Sequence, residues 1–382
     1  MKITEIIVQE LFDAFSHSIP LNTKERVTLM IGENGFGKTV ILKMIKALFS
    51  KDFLYFHNII FKSLQVKFDD NVIWELVNSN DFEECKLSLK LLKDNKFIEE
   101  KTVFQIITED EQNYIKETSP NWYEERVNNL SVNLIETQRL LTVKGEQTVL
   151  KCSSELSEKI KLQFEKSEEL AARLYRTYPS RLAERRKQSP NISQEELTQK
   201  LNQLEEKRSL LDSVGLIDKE KDTDFLYDDS ADEFMKHVLL VYIDDNNRKL
   251  ETFDEIANKI KLFIDIINKR FLYKKIHIDK EKGFVFTSTV TQKEIPLEKL
   301  SSGEQHELVL FYELLFKIPP DSLVLIDEPE ISLHISWQNQ FVKDLKDIIR
   351  LNKTDILIAT HSPDIIGNNW DLSVELQGVE EN

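Results

Sequence analysis

The chain has 382 residues, of which 41% are hydrophobic and 31% are charged, and its formal net charge is −16. This composition is typical of a folded globular protein with one large or two smaller structural units, and it excludes an intrinsically disordered chain. The acidic balance argues against a protein whose whole surface binds nucleic acid, but it leaves room for a local basic patch.

Neither the cysteines nor the hydrophobic runs indicate a secreted or membrane-embedded protein. Cys85 and Cys152 are too few for a disulfide framework or a cysteine zinc cluster, which excludes a disulfide scaffold and a zinc module. No run of residues approaches the ~18 apolar positions of a membrane helix, and the first residues lack the apolar core of a signal peptide. We therefore expect a protein of the reducing cytoplasm.

Residues 1–150 alternate short strands with turns, and we predict that they form an N-terminal lobe. Apolar and polar residues alternate in several strands, which is typical of half-buried antiparallel pairing. Residues 40–49 have the apolar spacing of an amphipathic helix. The predicted strands are 6–8, 27–31, 72–77, 86–92 and 132–135.

Residues 151–272 change to helical periodicity and predict an inserted helical arm. The clearest amphipathic stripe runs from 253 to 271, and capping-box patterns begin at Ser193 and Ser230. The heptads are too few for a long coiled coil. Breaks between helices are predicted at Pro179, Pro190 and Gly215.

Residues 273–382 return to strands and helices and form the predicted C-terminal lobe. The apolar runs 323–326 and 356–359 are short and bounded by polar residues, which is typical of buried parallel strands. Their strand–helix–strand order indicates an α/β sheet.

The strongest motif is Gly-Glu-Asn-Gly-Phe-Gly-Lys-Thr at residues 32–39, which matches G-x-x-x-x-G-K-[ST]. It follows an apolar strand and precedes the early helix, the context that a phosphate-binding loop requires. Glycines let the backbone N–H groups face phosphate oxygens, Lys38 reaches the β- and γ-phosphates, and the Thr39 hydroxyl ligates Mg²⁺. The alternative is a glycine-rich turn before a helix.

A second motif ends the apolar run 323–326 with Asp327 and Glu328. Two carboxylates at the end of a buried strand are costly unless they meet a cation. Asp327 is suited to hold Mg²⁺ and Glu328 to orient or polarise the attacking water. The alternative is a strand that runs into a turn, because Pro329 follows directly.

Three further segments are weak when each is taken alone. Leu-Ser-Ser-Gly-Glu-Gln at 300–305 is either a helix N-cap or a second anion site at a helix N-terminus. His361 follows the run 356–359, where ligands collect in open α/β sheets, although a single histidine is more often structural. Gln138 follows an apolar strand and could hydrogen-bond Mg²⁺ or the attacking water.

Taken together and in this order, these segments resemble the ABC-type ATPases. The resemblance implies an α/β fold, an ABC ATPase head with a mixed sheet, an antiparallel β subdomain and a P-loop α/β core that carries the inserted helical arm. It makes 32–39 the phosphate loop, Gln138 the Q-loop glutamine, 300–305 the signature, Asp327 and Glu328 the carboxylate pair, 330–334 the D-loop and His361 the switch histidine.

The resemblance also implies ATP and Mg²⁺ as cofactors and a head-to-tail homodimer closed by ATP. Glu328 is then the general base, and His361 contacts the γ-phosphate. The ATP phosphates would be held by Asn34, Gly35, Gly37, Lys38, Thr39 and Val40. Mg²⁺ would be held by Thr39, Gln138 and Asp327. The partner copy would contribute Ser301, Ser302, Gly303 and Glu304. The adenine contact is left open among Phe12, Phe15 and His17.

The variant signature and D-loop sequences resemble the SMC/RecF/OLD branch, and most of all bacterial defence ATPases of the OLD and Septu (retron-associated) type. No Toprim carboxylate cluster follows His361, so we expect any nuclease to be a separately encoded chain. The resemblance implies an ATPase that gates such an effector in anti-phage defence. The alternative is a RecF-like ATPase that binds DNA during repair or recombination.

One basic cluster interrupts the acidic background, and it is a possible site for DNA or an acidic partner. The alternative is a solvated helix face balanced by nearby glutamates. The cluster consists of Arg173, Arg176, Arg181, Arg185, Arg186 and Lys187.

Overall fold

The computed structural model describes residues 1–81, 84–109, 112–136, 148–187, 193–217 and 233–378. The chain divides into two compact units. The first combines Met1–Arg139 with Glu313–Asn382, and the second is Leu140–Tyr312. The predicted three-part division at 1–150, 151–272 and 273–382 stays a prediction.

The helices and strands follow one another along the chain in two successive series. The first is β1 (Ile3–Leu11), β2 (Phe15–Pro20), β3 (Val27–Ile31), α1 (Lys38–Ser50), β4 (Ser63–Phe68), β5 (Val72–Asp81), β6 (Glu84–Lys93), β7 (Lys96–Glu109), β8 (Gln112–Glu117), α2 (Asn121–Asn129) and β9 (Val132–Ile135). The second is α3 (Thr148–Arg185), α4 (Gln194–Ser213), α5 (Glu233–Glu251), α6 (Asp254–Arg270), β10 (Lys274–Asp279), β11 (Gly283–Ser288), β12 (Glu294–Ile295), α7 (Ser302–Tyr312), β13 (Leu323–Asp327), α8 (Ile335–Asn352), β14 (Asp355–Ala359), α9 (Pro363–Ile366) and β15 (Ser373–Glu375).

A five-stranded parallel sheet forms the centre of the first unit. Its strand order is β15-β3-β14-β13-β9, and each neighbouring pair is parallel. All five residues of β13 are buried, as expected for a strand covered on both faces. The predicted parallel strands at 323–326 and 356–359 are confirmed.

A seven-stranded antiparallel sheet accompanies it in the first unit, in the order β2-β1-β4-β5-β6-β7-β8. The prediction of antiparallel pairing is confirmed for β1, β5 and β6. The other two predicted strands of this stretch, β3 and β9, join the parallel sheet. The first four residues of β3 are buried, so buried and exposed positions do not alternate along it as they do in a half-exposed strand.

The second unit contains α3 to α7 and a three-stranded antiparallel sheet in the order β10-β11-β12. The predicted stripe from 253 to 271 is confirmed, since Phe253, Ile260, Ile267 and Phe271 are buried along α6. Ser193 and Glu196 form the predicted capping box of α4. The box predicted at Ser230 and the break at Pro190 lie outside the described residues.

The predicted helix break at Pro179 is wrong, because α3 runs through this proline. A proline in a helix removes one backbone hydrogen bond and disturbs the preceding turn. Side chains add hydrogen bonds to neighbouring carbonyls of that turn. The Thr177 hydroxyl donates to the Arg173 carbonyl at 3.1 Å, and Nη2 of Arg181 donates to the Leu174 carbonyl at 2.7 Å. By contrast, α4 ends two residues before Gly215, where a break was predicted.

The α/β fold class is confirmed, with a P-loop α/β core, an antiparallel subdomain and an inserted helical arm. Within the described ranges, no helix has both the length and the apolar character needed to cross a membrane.

Candidate nucleotide-binding site

The loop at residues 32–37 connects β3 to the N-terminus of α1. Gly35 and Gly37 have φ values of +94° and +86°, which L side chains rarely adopt. A Cβ added at Gly37 would also lie 2.5 Å from Cδ2 of Leu11. The glycines therefore permit a tight loop whose helix N-terminus presents free N–H groups to an anion.

Lys38 turns its ammonium group back into this loop. Its side chain is buried, with 5% of its surface exposed, and Nζ donates to the Gly32 carbonyl at 2.8 Å and the Glu33 carbonyl at 3.0 Å. A buried cation held by carbonyl oxygens keeps its positive charge inside the loop. The loop is therefore suited to a polyanion such as a nucleotide phosphate chain.

Thr39 and Asp327 meet although 288 positions separate them in the sequence. The hydroxyl of Thr39 donates to Oδ1 of Asp327 at 3.0 Å. Asp327 is buried, and burial is the main cause that raises its pKa, with the neighbouring Glu328 charge acting in the same direction and the Thr39 hydrogen bond opposing it. A nearby cation would stabilise the charged form of such a carboxylate.

The donor set at this point fits Mg²⁺, which prefers oxygen ligands and usually retains several waters. A hydroxyl and a carboxylate lie within one hydrogen bond of each other. Among the described residues no group of three or more His, Cys, Asp and Glu side chains could hold a metal ion. Water and phosphate oxygens would supply the remaining ligands of such an ion. Gln138, the third predicted ligand, lies outside the described residues.

Glu328 and His361 follow β13 and β14 at the same edge of the parallel sheet. Glu328 has a left-handed backbone with φ of 43°, and its N–H donates to the Ala359 carbonyl at 2.9 Å. This unusual conformation for a non-glycine residue is typical of functional positions. Nδ1 of His361 lies 3.9 Å from Oε1 of Glu328 and 3.2 Å from Oε1 of Glu330.

The sheet order explains why these residues meet. β14 lies between β3 and β13, and the three strands are parallel, so their carboxyl ends share one edge. The structure thus gathers the loop, Asp327, Glu328 and His361 at that edge. Asn34 and Gly35 are exposed there, and Val40 is half-buried in the first turn of α1.

The predicted signature lies in the second unit at the start of α7. The N–H and hydroxyl of Ser301 donate to Oε2 of Glu304 at 2.8 and 3.0 Å, and the Glu304 N–H donates to the Ser301 hydroxyl at 3.3 Å. Lys274 contacts both Glu304 oxygens at 2.7 Å. Burial acts to raise the Glu304 pKa, but the Lys274 and Ser301 bonds outweigh it, so the pKa is lowered. Glu304 is thus engaged within its own unit, while Ser301 and Ser302 are exposed.

The three aromatic candidates for an adenine contact have different environments. His17 is buried, and its Nε2 lies 3.0 Å from the Phe36 carbonyl. Phe15 packs on His17 and Phe36, with ring centroids 5.9 and 5.4 Å apart. Phe12 is 41% exposed, and its ring edge borders Gly37 of the loop. Phe12 is therefore the candidate with a face available to a base.

The basic cluster divides into half-buried arginines that form ion pairs and residues that are exposed. Arg181 makes a bidentate ion pair with Asp245, and Arg185 pairs with Asp244, so both tie α3 to α5. The Arg186 guanidinium lies 5.5 Å from the Phe234 ring centroid. Arg173, Arg176 and Lys187 are exposed. The cluster is thus partly structural.

Sequence patterns missed the polar residues that surround His361. Glu330 was placed in the D-loop without a role, and Gln338, Thr360 and Ser362 were not singled out. All four take part in one buried hydrogen-bond network. Only the acidic Glu330 in an otherwise apolar turn gave a signal.

The sequence pattern of the AAA ATPase domain family matches residues 1–366. A stretch of 72 residues is 39% identical to Protein ea59 of Escherichia phage lambda and covers 18% of this chain and 13% of that protein. The SMC head domain from Thermotoga maritima is 13% identical, with a TM-score of 0.40 over 99% of this chain and 95% of that chain. The Smc head domain bound to the C-terminal domain of ScpA, derived from Pyrococcus furiosus, is 15% identical, with a TM-score of 0.38 over 96% and 91%.

Replacing Asp327 by Asn is expected to raise the thermal unfolding midpoint of the nucleotide-free protein at about pH 7. The folded protein disfavours the charged carboxylate, because its pKa is raised above 3.8, whereas an uncharged amide still accepts from Thr39. The charged Asp327 carboxylate destabilises the folded protein above its folded-state pKa, and this effect is absent below its unfolded-state pKa. The stability gained by Asp327→Asn should therefore shrink as the pH falls. Calorimetry between about pH 7 and pH 4 measures it. A variant less stable at neutral pH, or an advantage that grows in acid, would contradict this reasoning.

Proposed function

This chain belongs to the AAA ATPase domain family, which confirms the predicted ATPase domain, and from that premise we propose that it hydrolyses ATP with Mg²⁺ at the loop of residues 32–39. The observation that carries the proposal is the bond between Thr39 and Asp327. It joins the phosphate loop to the acidic strand end and places Glu328 beside both. A hydroxyl, a carboxylate and a second carboxylate in this order match the needs of phosphoryl transfer to water.

Each residue of the site then has a separate task. The loop N–H groups and the α1 N-terminus hold the phosphate oxygens, and Lys38 neutralises the β- and γ-phosphates. Thr39 and Asp327 would hold Mg²⁺, which would supply positive charge beside the phosphates. Glu328 accepts a proton from the attacking water. His361 contacts the γ-phosphate from the end of β14.

The active form that we propose is a head-to-tail homodimer in which the signature of one copy closes the ATP site of the other. Support comes from Gly303 in the first turn of α7. A Cβ added there would meet nothing within 4 Å, so the fold of its own chain does not require glycine. Glycine in a helix costs about 1 kcal/mol relative to alanine, which is tolerated where something outside must approach closely.

Within that interface, Ser301, Ser302 and Gly303 are the residues that face the γ-phosphate of the partner copy. Glu304, the fourth residue predicted to be contributed by the partner copy, has contacts within its own chain. Its two oxygens are held by Ser301 and Lys274, so we assign it to shaping the signature turn. A cap of this kind fixes the first turn of α7 before nucleotide arrives.

The dimer is a switch, because hydrolysis of the γ-phosphate removes the contacts that join the two copies. We propose that a separately encoded effector, a nuclease in a defence system of the OLD or Septu type, reads this state in the cytoplasm. The signature Leu-Ser-Ser-Gly-Glu and the D-loop Glu-Ile-Ser-Leu-His support this subtype. The internal ion pairs of Arg181 and Arg185 favour a protein partner over the RecF-like DNA-binding alternative, since they reduce the free basic charge.

Phe12 is the residue that we propose for the adenine contact, and replacing it by Ala should weaken ATP binding about tenfold. Loss of base stacking raises Kd and KM but leaves kcat nearly unchanged, because the ring does not touch the reacting phosphate. Titration with a fluorescent ATP analogue measures Kd. Phe97→Ala is the matched control, since Phe97 is 60% exposed on β7 in the same unit. Equal affinity of the Phe12 variant and wild type would exclude the contact.

Replacing Glu328 by Gln should lower kcat about 100-fold or more, because the general base is lost. ATP binding should persist, so the variant should accumulate as an ATP-dependent dimer. Phosphate release and light scattering with and without ATP measure the two effects. Glu25→Gln, an exposed carboxylate that lies 3.4 Å from Lys346, serves as the control. Hydrolysis at the wild-type rate would remove Glu328 from the mechanism, and a monomer with bound ATP would contradict the dimer.

The same Glu328 variant can identify the effector when it is purified from its native cell with ATP and Mg²⁺. We expect a stoichiometric protein partner, detected by mass spectrometry, that is absent from a Lys38→Ala control. Nuclease-sensitive DNA without a protein partner would instead favour the RecF-like alternative.

A further inference from the structure

Glu330 lies in the short helical turn Pro329–Ile331 that directly follows Glu328. Its side chain is only 7% exposed. Oε1 accepts hydrogen bonds from the Thr360 hydroxyl at 2.8 Å and from the His361 N–H at 2.9 Å. Nδ1 of His361 lies 3.2 Å from the same oxygen. One buried carboxylate therefore holds the backbone of His361 and lies beside its ring.

A network of neighbouring polar groups fastens this arrangement. The Ser362 N–H donates to the Thr360 hydroxyl at 3.0 Å, and the Ser362 hydroxyl donates to Oε1 of Gln338 at 2.7 Å. Nε2 of Gln338 donates to the carbonyls of Leu333 at 3.2 Å and Glu330 at 3.4 Å. The network thus closes on itself and joins the turn after Glu328 to the end of β14. A connected buried network of this kind is rigid.

The second oxygen of Glu330 shows that stability alone does not explain a carboxylate here. Within the described part of the chain, Oε2 is buried and has no hydrogen-bond partner. A buried polar atom left in this state destabilises the fold, and such exceptions need an explanation. A glutamine could accept the Thr360 and His361 bonds without burying a charge. What a glutamine cannot supply is a charged acceptor for the imidazole ring.

We propose that Glu330 is a positioning residue for His361 and so for ATP hydrolysis. Its carboxylate accepts from Nδ1–H of His361 and leaves Nε2, on the far side of the ring, for the γ-phosphate. A carboxylate that receives one ring nitrogen fixes both the tautomer and the orientation of a histidine. This inference rests on the proposed function, in which His361 contacts the nucleotide.

The two distances also indicate separate roles for the Glu330 and Glu328 carboxylates. Nδ1 of His361 is 3.2 Å from Glu330 but 3.9 Å from Glu328. Because Glu330 accepts from the His361 ring in this proposal, the Glu328 oxygens stay available to the attacking water. Glu328 directly precedes the turn Pro329–Ile331 that carries Glu330, so one short segment positions both carboxylates.

The kinetic test compares Glu330→Gln, His361→Ala and the double variant in phosphate-release assays. Glu330→Gln should lower kcat about 10- to 100-fold and change KM less than about twofold, because Glu330 does not touch the phosphate loop. In the His361→Ala background it should lower kcat no further, since both changes remove the same interaction. Multiplicative losses in the double variant would overturn the proposal.

Asp355→Asn is the matched control at the opposite end of β14. Asp355 lies 3.4 Å from Nε of Arg26, so this variant removes a charge and an ion pair from the same strand without touching His361. Its kcat should stay within about twofold of wild type. An equal loss in Asp355→Asn would show that strand rigidity matters rather than the position of His361.

A second readout does not depend on activity. ¹⁵N NMR of histidine-labelled, nucleotide-free protein should show His361 protonated at Nδ1 in wild type, with that tautomer less populated in Glu330→Gln. If wild type hydrolyses no ATP, the proposed function fails, while this spectrum still tests the bond. A wild-type His361 protonated at Nε2 alone would overturn the inference whether or not the variant folds.

Discussion

The hydrogen bond between the Thr39 hydroxyl and the Asp327 carboxylate joins the two ends of the sequence into one site. It can form because β3 and β13 run parallel on either side of β14, which brings their carboxyl ends to one edge. The phosphate loop, both acidic residues and His361 all depend on that strand order. A sheet with another order would contain the same motifs but no site.

The edge concentrates negative charge that the fold alone does not neutralise. Asp327, Glu328 and Glu330 lie within four positions, and burial raises the pKa of Asp327. Glu328 also has a left-handed backbone. Strain and buried charge at one edge both oppose stability, and proteins retain them where function requires them. In our account Mg²⁺ offsets the charge, while Glu330 uses its own charge to hold the His361 ring.

The elements that the sequence predicts well are those set by local chemistry. The glycines and lysine of 32–39, the capping box at Ser193 and the apolar runs that became β13 and β14 all carry their signal within a few residues. The sheet that β3 and β9 join depends on residues distant in the sequence, so their local pattern does not predict their pairing. Pro179 is a local helix-breaking signal, yet α3 continues through it, and the Thr177 and Arg181 side chains bond neighbouring carbonyls of the preceding turn.

In the candidate site, too, residues in local motifs could be predicted and tertiary contacts could not. Lys38, Thr39 and Asp327 could be named from their motifs, because phosphate and Mg²⁺ chemistry favours those residue types, whereas His361 was named through the family resemblance. The bonds among Glu330, Gln338, Thr360 and Ser362 could not be named, since they arise where a turn, a helix and a strand end pack together. The ion pairs that hold Arg181 and Arg185 are likewise tertiary.

The composite ATP site shared by two copies is tested most directly by mixing two inactive variants. Lys38→Ala loses the phosphate loop, and Gly303→Ala adds a Cβ that its own chain accommodates but an approaching phosphate would not. Each variant alone should be inactive. An equal mixture should recover about a quarter of the wild-type rate, because half of the dimers then contain one intact site. A mixture that stays inactive, or a Gly303→Ala variant as active as wild type, would contradict the account.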